Sequence, residues 1–163
     1  MEQVSEFDMN PKEHWEDIYT TKQPHEVSWT QQDAGLSLQF ITQAAPQRTA
    51  RIVDVGGGDS PLVDALLGCG YSDVTINDLS GAAMQRAQAR LGAKAHSVKW
   101  VEADITHPNG ALPTDADVWH DRAVFHFLTK TTDRCAYLQT VRDTVKLGGH
   151  VVIATFALDG PPR

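Results

Sequence analysis

The sequence predicts an α/β protein built on one doubly wound, mostly parallel sheet. Two observations carry this expectation. From Arg51 onward, short apolar runs alternate with segments of helical period, the pattern of successive βαβ units. The first of those runs, "RIVDV", stops at Gly56, Gly57 and Gly58 and resumes as the helix-like "SPLVDALL". Strand, glycine turn and helix start in that order make a ligand site at the head of such a sheet.

Each element follows from local signals. Asn10 is a good N-cap, Pro11 suits the first helical position and Glu13 stands where a capping box wants a carboxylate, so a helix runs from there to about Thr20. A loop containing Pro24 leads to a second amphipathic helix, about 31–43, with Leu36, Leu38, Phe40 and Ile41 among its apolar residues. Strands are expected at 51–55, 73–77, 98–102, 118–120 and 150–156, with helices at about 61–67, 81–91 and 132–145. The glycines of "KLGGH" are read as ending the last helix and turning the chain into the fifth strand.

Composition narrows the function classes. Of 163 residues 41% are hydrophobic and 21% charged, which is ordinary for one soluble domain. With 14 Lys and Arg against 21 Asp and Glu the formal net charge is −7, and no basic stripe is present, so no nucleic-acid partner is expected. Cys69 and Cys135 belong to no paired motif and read as free thiols of a reducing compartment. No apolar run approaches a membrane span and the N-terminus is acidic and polar, so no membrane partner and a cytoplasmic address are expected.

In open α/β sheets the ligand lies across the carboxyl ends of the strands, and here those ends carry acids in series. Asp54 precedes the glycines; Asp78 follows the second strand, Asp104 the third and Asp121 the fourth. A dinucleotide fingerprint would need a third glycine at position 61, where this chain has Pro61, and a carboxylate beside a pyrophosphate is a poor neighbour. Asp78 lies 20 residues after Gly58, the spacing at which an acid accepts the hydroxyls of an adenosine ribose. Asp104 can accept from an exocyclic amine. An adenosine with a positive end near Asp54, needing no phosphate clamp, describes S-adenosylmethionine.

The segments "IVDVGGGDS", "VTINDLS", "WVEADIT" and "DVWHDRAVFHFL" resemble the class I S-adenosylmethionine-dependent methyltransferases over about residues 51–156. "HWEDIYTTKQPHEVSW" is similar to a narrower subgroup, bacterial methyltransferase-domain proteins related to the methyltransferase-like protein-lysine methyltransferases. The resemblance implies a Rossmann-like sheet, with residues 51–163 as the cofactor-binding core and residues 1–50 as a helical lid. It further implies that Gly56 and Gly58 approach the methionine part of the cofactor and that Asp54 contacts its amino group. Asp78 would take the ribose, Leu79 would lie under the adenine, and Asp104 with the Ile105 amide would read the adenine edge. Trp15, Tyr19 and Trp29 match the subgroup's closing aromatics, and Asp121 and Arg122 its residues near the sulfonium. An aromatic ring beside a sulfonium gains about 0.5–2 kcal/mol.

His120 and Asp121 stand at a plausible address for a general base. With His126 they do not match a metal-ligand spacing, so no metal is expected. "HDRA" lacks the Asn/Asp-Pro-Pro-aromatic tetrapeptide of methyltransferases acting on planar amino groups of bases and glutamine. The reaction implied is in-line methyl transfer to a small-molecule or protein side-chain acceptor, driven largely by alignment. Relative to the family the two last strands are absent, which leaves "HVVIATFA" as an apolar open edge suited to a homodimer. Two other readings stand beside this one: a cofactor-binding module without turnover, and a nicotinamide-dependent oxidoreductase.

Overall fold

The computed structural model describes residues 10–22 and 33–155. The first helix, α1 (Pro11–Thr21), starts as its signals require: the Asn10 side chain accepts from the Lys12 amide at 3.0 Å and Pro11 occupies the first turn. Helix α2 (Gly35–Ala44) starts without a side-chain cap on its own N-cap, Ala34, and the Asp33 carboxylate instead accepts the Gly35 amide at 2.8 Å.

The sheet follows. Its strands are β1 (Arg51–Val55), β2 (Asp73–Asp78), β3 (Val98–Glu102), β4 (Ala116–Arg122) and β5 (Val145–Ala154). The helices α3 (Leu62–Gly68), α4 (Gly81–Leu91) and α5 (Thr131–Thr144) lie between them in sequence. The order across the sheet is β3-β2-β1-β4-β5 and every pairing is parallel. The chain therefore starts at the centre, winds to one side, and returns through β4 to the other. The switch point is the gap between β1 and β4, headed by the glycine turn.

Both faces of the sheet are covered, as the near-continuous apolar strands require. One face packs Ile52, Val74, Ile76 and Val118 against Ile41 of α2 and Leu62 and Leu66 of α3. The other packs Val53, Val55 and Trp119 against Tyr137 of α5, with Ile105 and Leu112 from the loop after β3. Ile41 is fully buried, and a side chain of that size contributes about 1.5–3 kcal/mol on burial. So α2 belongs to the core, and of the two described helices before β1 it is α1 that lines the cavity at the strand ends.

Two strands depart furthest from the sequence reading. Strand β4 continues through Asp121 and Arg122, which pair with Ile153 and Ala154 of β5 rather than beginning a loop. Strand β5 begins at Val145, directly after α5, and the glycines lie inside it: Ala116 pairs with Val145 but Val118 with His150, a bulge in which Gly148 adopts φ +78°. A glycine pair marks a bulge as readily as a turn, because both need positive φ. Among the described residues β5 pairs only with β4, and Leu147, Val151 and Ile153 on it are exposed. Cys69 and Cys135 are free and exposed. Among the described residues no helix is long and apolar enough to cross a membrane.

Candidate functional site

The glycine turn is shaped by close packing at each position. Gly56 adopts φ +67°, and a Cβ there would fall 2.1 Å from Val124 Cγ2, so the turn admits no side chain. At Gly57 a Cβ would lie 2.2 Å from Asp54 Oδ2. At Gly58 it would lie 2.7 Å from Ala83 Cβ and from Asp78 Oδ2, and the Gly58 amide donates to Asp78 Oδ2 at 3.0 Å. Gly58 thus lets α4 approach the turn. The position sequence reasoning passed over is Gly57, which does line a cavity.

A cavity of about 500 Å³ opens over the carboxyl ends of the strands. Gly56, Asp78, Leu79, Asp104, Ile105 and Arg122 line it from the sheet side, and Trp15 and Tyr19 from α1. A smaller cavity of about 50 Å³ shares Tyr19, Gly56 and Arg122 with it and adds Asp54, Gly57 and His120. Of the residues singled out in the sequence, Gly58 and Asp121 line neither cavity, and Trp29 lies outside the described residues. His14 and His107 also line the larger cavity, a placement that no local pattern announces.

Helix α1 crosses the cavity mouth on polar anchors. Glu16 accepts from the Ser80 hydroxyl at 2.6 Å and from the Ala82 amide at 3.1 Å, completing the N-terminus of α4 from another helix. Lys12 pairs with Glu102 at the end of β3. At the other side the Trp15 ring meets Phe127, in the loop after β4, edge-on with centroids 5.0 Å apart.

The acids divide into two kinds. Asp78 is buried, and burial raises its carboxyl from 3.8 to about 6 against the opposing pull of the Ser80, Gly58 and Leu79 amides, with Asp54 nearby adding to the rise. It stays on the cavity wall. Asp104 Oδ1 accepts from the Thr106 amide and hydroxyl at 2.8 and 2.6 Å, which folds the loop after β3 and fixes the carboxylate at the rim.

Asp121 is fully buried and serves structure. Its carboxylate accepts from the Val124 and Phe125 amides and from the Tyr137 hydroxyl at 2.5 Å, and Tyr137 in turn accepts from Trp119 Nε1 at 2.9 Å. Burial raises both the Asp121 carboxyl and the Tyr137 phenol. This network folds the loop after β4, where Ala123 adopts φ +70° beside the cavity. Both Asp121 oxygens are thus engaged, and the residue lines neither cavity.

His120 is held from both sides of its ring. Its Nδ1 is 2.7 Å from Asp54 Oδ1 and its Nε2 is 2.9 Å from Ser37 Oγ, so both nitrogens are engaged inside the protein. Asp54 Oδ2, by contrast, is buried with no hydrogen-bond partner among the described residues. An unsatisfied buried acceptor costs about 1–3 kcal/mol, more when charged. That deficit, beside a cavity, suits a cationic donor. No cluster with the make-up of a metal site occurs among the described residues.

A parallel sheet with a glycine turn at its switch point and a cavity over the carboxyl ends of its strands defines an α/β ligand-binding domain. Residues 53–151 match the family model described as a methyltransferase domain, and the chain belongs to that family. No curated protein matches the chain. Solved structures do. One is a glycopeptide N-methyltransferase, MtfA, complexed with S-adenosylhomocysteine (TM-score 0.63, 15% identity, 83% of this chain and 56% of that one). Another is the Burkholderia thailandensis 1,6-didemethyltoxoflavin-N1-methyltransferase with bound 1,6-didemethyltoxoflavin and S-adenosylhomocysteine (TM-score 0.69, 21% identity, 92% and 63%). A third is the Haemonchus contortus phosphoethanolamine N-methyltransferase 1 (TM-score 0.63, 16% identity, 83% and 29%). These likenesses are of fold, and the chain spans less than two thirds of the length of each.

Proposed function

We propose that the chain binds S-adenosylmethionine across the ends of β1, β2 and β4 and transfers its methyl group to a small-molecule or protein side-chain acceptor. The observation that carries this reading is the cavity itself, which brings Asp78, Leu79, Asp104 and Ile105 to one wall and Trp15 and Tyr19 to the other. The residues fit the cofactor on physical grounds. Asp78 can accept from a ribose diol, Leu79 and Ile105 offer apolar contact to a base, and the unpartnered Asp54 oxygen suits an ammonium.

The cofactor, when bound, supplies a methyl group made electrophilic by a sulfonium. The chain's own part is alignment and exclusion of water. The Trp15–Phe127 contact closes the mouth, Glu16 and Lys12 hold α1 over it, and the loop after β4 is locked by Asp121. Holding acceptor and methyl in line recovers several kcal/mol without any proton transfer.

Calorimetric titration with S-adenosylmethionine and S-adenosylhomocysteine, with NAD as control and Asp78→Ala alongside, tests the reading. Micromolar binding of the first two, lost in the variant, supports it; binding of NAD alone reinstates the oxidoreductase reading.

A second reading is binding without turnover. The engagement of both His120 nitrogens and both Asp121 oxygens favours it for an acceptor that arrives protonated, which needs a base as a thiolate does not. Failure of S-adenosylhomocysteine to accumulate with any acceptor in a broad amine, thiol and hydroxyl screen would support that reading over transfer.

A homodimer through β5 is part of the proposal. Among the described residues β5 pairs only with β4, and its other side, with the exposed Val151 and Ile153, is what such pairing needs. Light scattering should then show a dimer that Val151→Lys dissociates; a monomer at high concentration refutes it.

A further inference from the structure

We infer that Ser37 and His120 are positioning residues for the amino-acid end of the ligand: a hydrogen-bonded line from α2 through β4 fixes Asp54 so that its second oxygen meets a cation in the smaller cavity. The inference rests on the cofactor reading above and adds residues to it that do not touch the cofactor.

The line runs across three elements. Ser37 on α2 is 2.9 Å from His120 Nε2; His120 on β4 is 2.7 Å from Asp54 Oδ1; Asp54 on β1 keeps Oδ2 unpartnered. With both ring nitrogens engaged the imidazole has one orientation, and the carboxylate plane is set by it. Strand β1 pairs Asp54 directly with His120 in register, so the backbone fixes the same geometry that the side chains use.

Gly57 leaves room on the free side. A Cβ there would sit 2.2 Å from Oδ2, so only glycine leaves that oxygen in its place, and Gly57 and Asp54 both line the smaller cavity. The adenosine end has its own acids, Asp78 and Asp104, in the larger cavity. Asp54 is thus assigned to the other end of the ligand, where an ammonium stands.

A carboxylate, an imidazole and a hydroxyl in this order also describe an activated serine nucleophile. Here the direction of use is reversed. Ser37 is 9% exposed and lines neither cavity, so no substrate carbonyl reaches its oxygen, whereas Asp54 and His120 do line the smaller cavity. The working end is the acid.

Two ligands separate positioning from general damage. S-adenosylhomocysteine carries the amino-acid end, and 5′-methylthioadenosine carries the same adenosine thioether without it. Calorimetry should show Ser37→Ala weakening the first by about threefold to tenfold and His120→Leu by about tenfold or more, while the second binds both variants as it binds the parent chain. His120→Asn, whose amide can still donate to Asp54, should recover part of the loss. Equal weakening of both ligands in folded variants, or unchanged S-adenosylhomocysteine affinity in Ser37→Ala and His120→Leu, overturns the inference. A parent chain that binds 5′-methylthioadenosine as tightly as S-adenosylhomocysteine overturns it while leaving the adenosine site standing. A parent chain that binds neither removes the cofactor reading and the inference with it.

Discussion

Raising the pH through about 6 should switch on ligand binding through a single carboxyl. Asp78 titrates at about 6 in the folded chain because it is buried, against 3.8 in the unfolded one. The folded state therefore holds its proton longer, and this group's contribution to stability is greatest below about pH 4 and falls as pH rises to about 6. The loss is ~3 kcal/mol by linkage. A ribose diol donating to the carboxylate needs the ionised form, so binding must expel the proton. At pH 5 about ten molecules in eleven carry it, and affinity for S-adenosylhomocysteine should be about elevenfold weaker than at pH 8. Calorimetry at pH 5.5 in two buffers of different ionisation enthalpy should show about 0.8 proton released per ligand bound, falling toward zero at pH 7.5. His14, His107 and His120 also line the cavities, so Asp78→Asn is the necessary partner experiment: it removes the Asp78 share and keeps theirs. A flat profile in the parent chain, or the same slope in Asp78→Asn, would refute the assignment.

Three further outcomes follow from the packing. Gly56→Ala, forced to φ +67° with its Cβ against Val124, should lose about 2–4 kcal/mol in chemical denaturation; a change under 0.5 kcal/mol would mean the turn is looser than described. Glu16→Ala removes two anchors of α1 that also cap α4, worth about 1–2 kcal/mol together, so trypsin should cut at Lys12 or Lys22 sooner and the chain should unfold at lower denaturant. Tyr137→Phe strips Asp121 of a hydroxyl donor and Trp119 of an acceptor inside the core, and should cost about 2–4 kcal/mol by equilibrium unfolding.

The fold was legible wherever burial on both faces made strands into apolar runs, as in "RIVDV" and "DVTIN", and wherever a cap stood beside its helix, as at Asn10 and Ser80. It was less legible at β5, because Gly148 and Gly149 carry the same signal for a bulge as for a turn. The acids at the strand ends could be counted from the sequence, but not their partners. Whether Asp121 faces a cavity or a core depends on Tyr137, 16 residues away, and whether Asp54 is held depends on Ser37, on a helix the glycine turn does not adjoin. Glu16 capping α4 spans 66 residues and leaves no local trace.

Asp54, Asp78 and Asp104 stand at or just past the ends of three strands that are consecutive across the sheet, and all three line the cavities. Parallel strands stand about 4.8 Å apart, so this is a short row of negative charge behind one opening. For a ligand that arrives as a cation and departs without that charge, such a row acts as a one-way bias: it draws the methyl donor inward and loosens its hold once the sulfonium has become a thioether. The bias is electrostatic and long in range, and with a Debye length of about 10 Å at 0.1 M salt it fades as ionic strength rises. High salt should therefore make the spent ligand the better competitor, by slowing capture of the donor while leaving product release as it was.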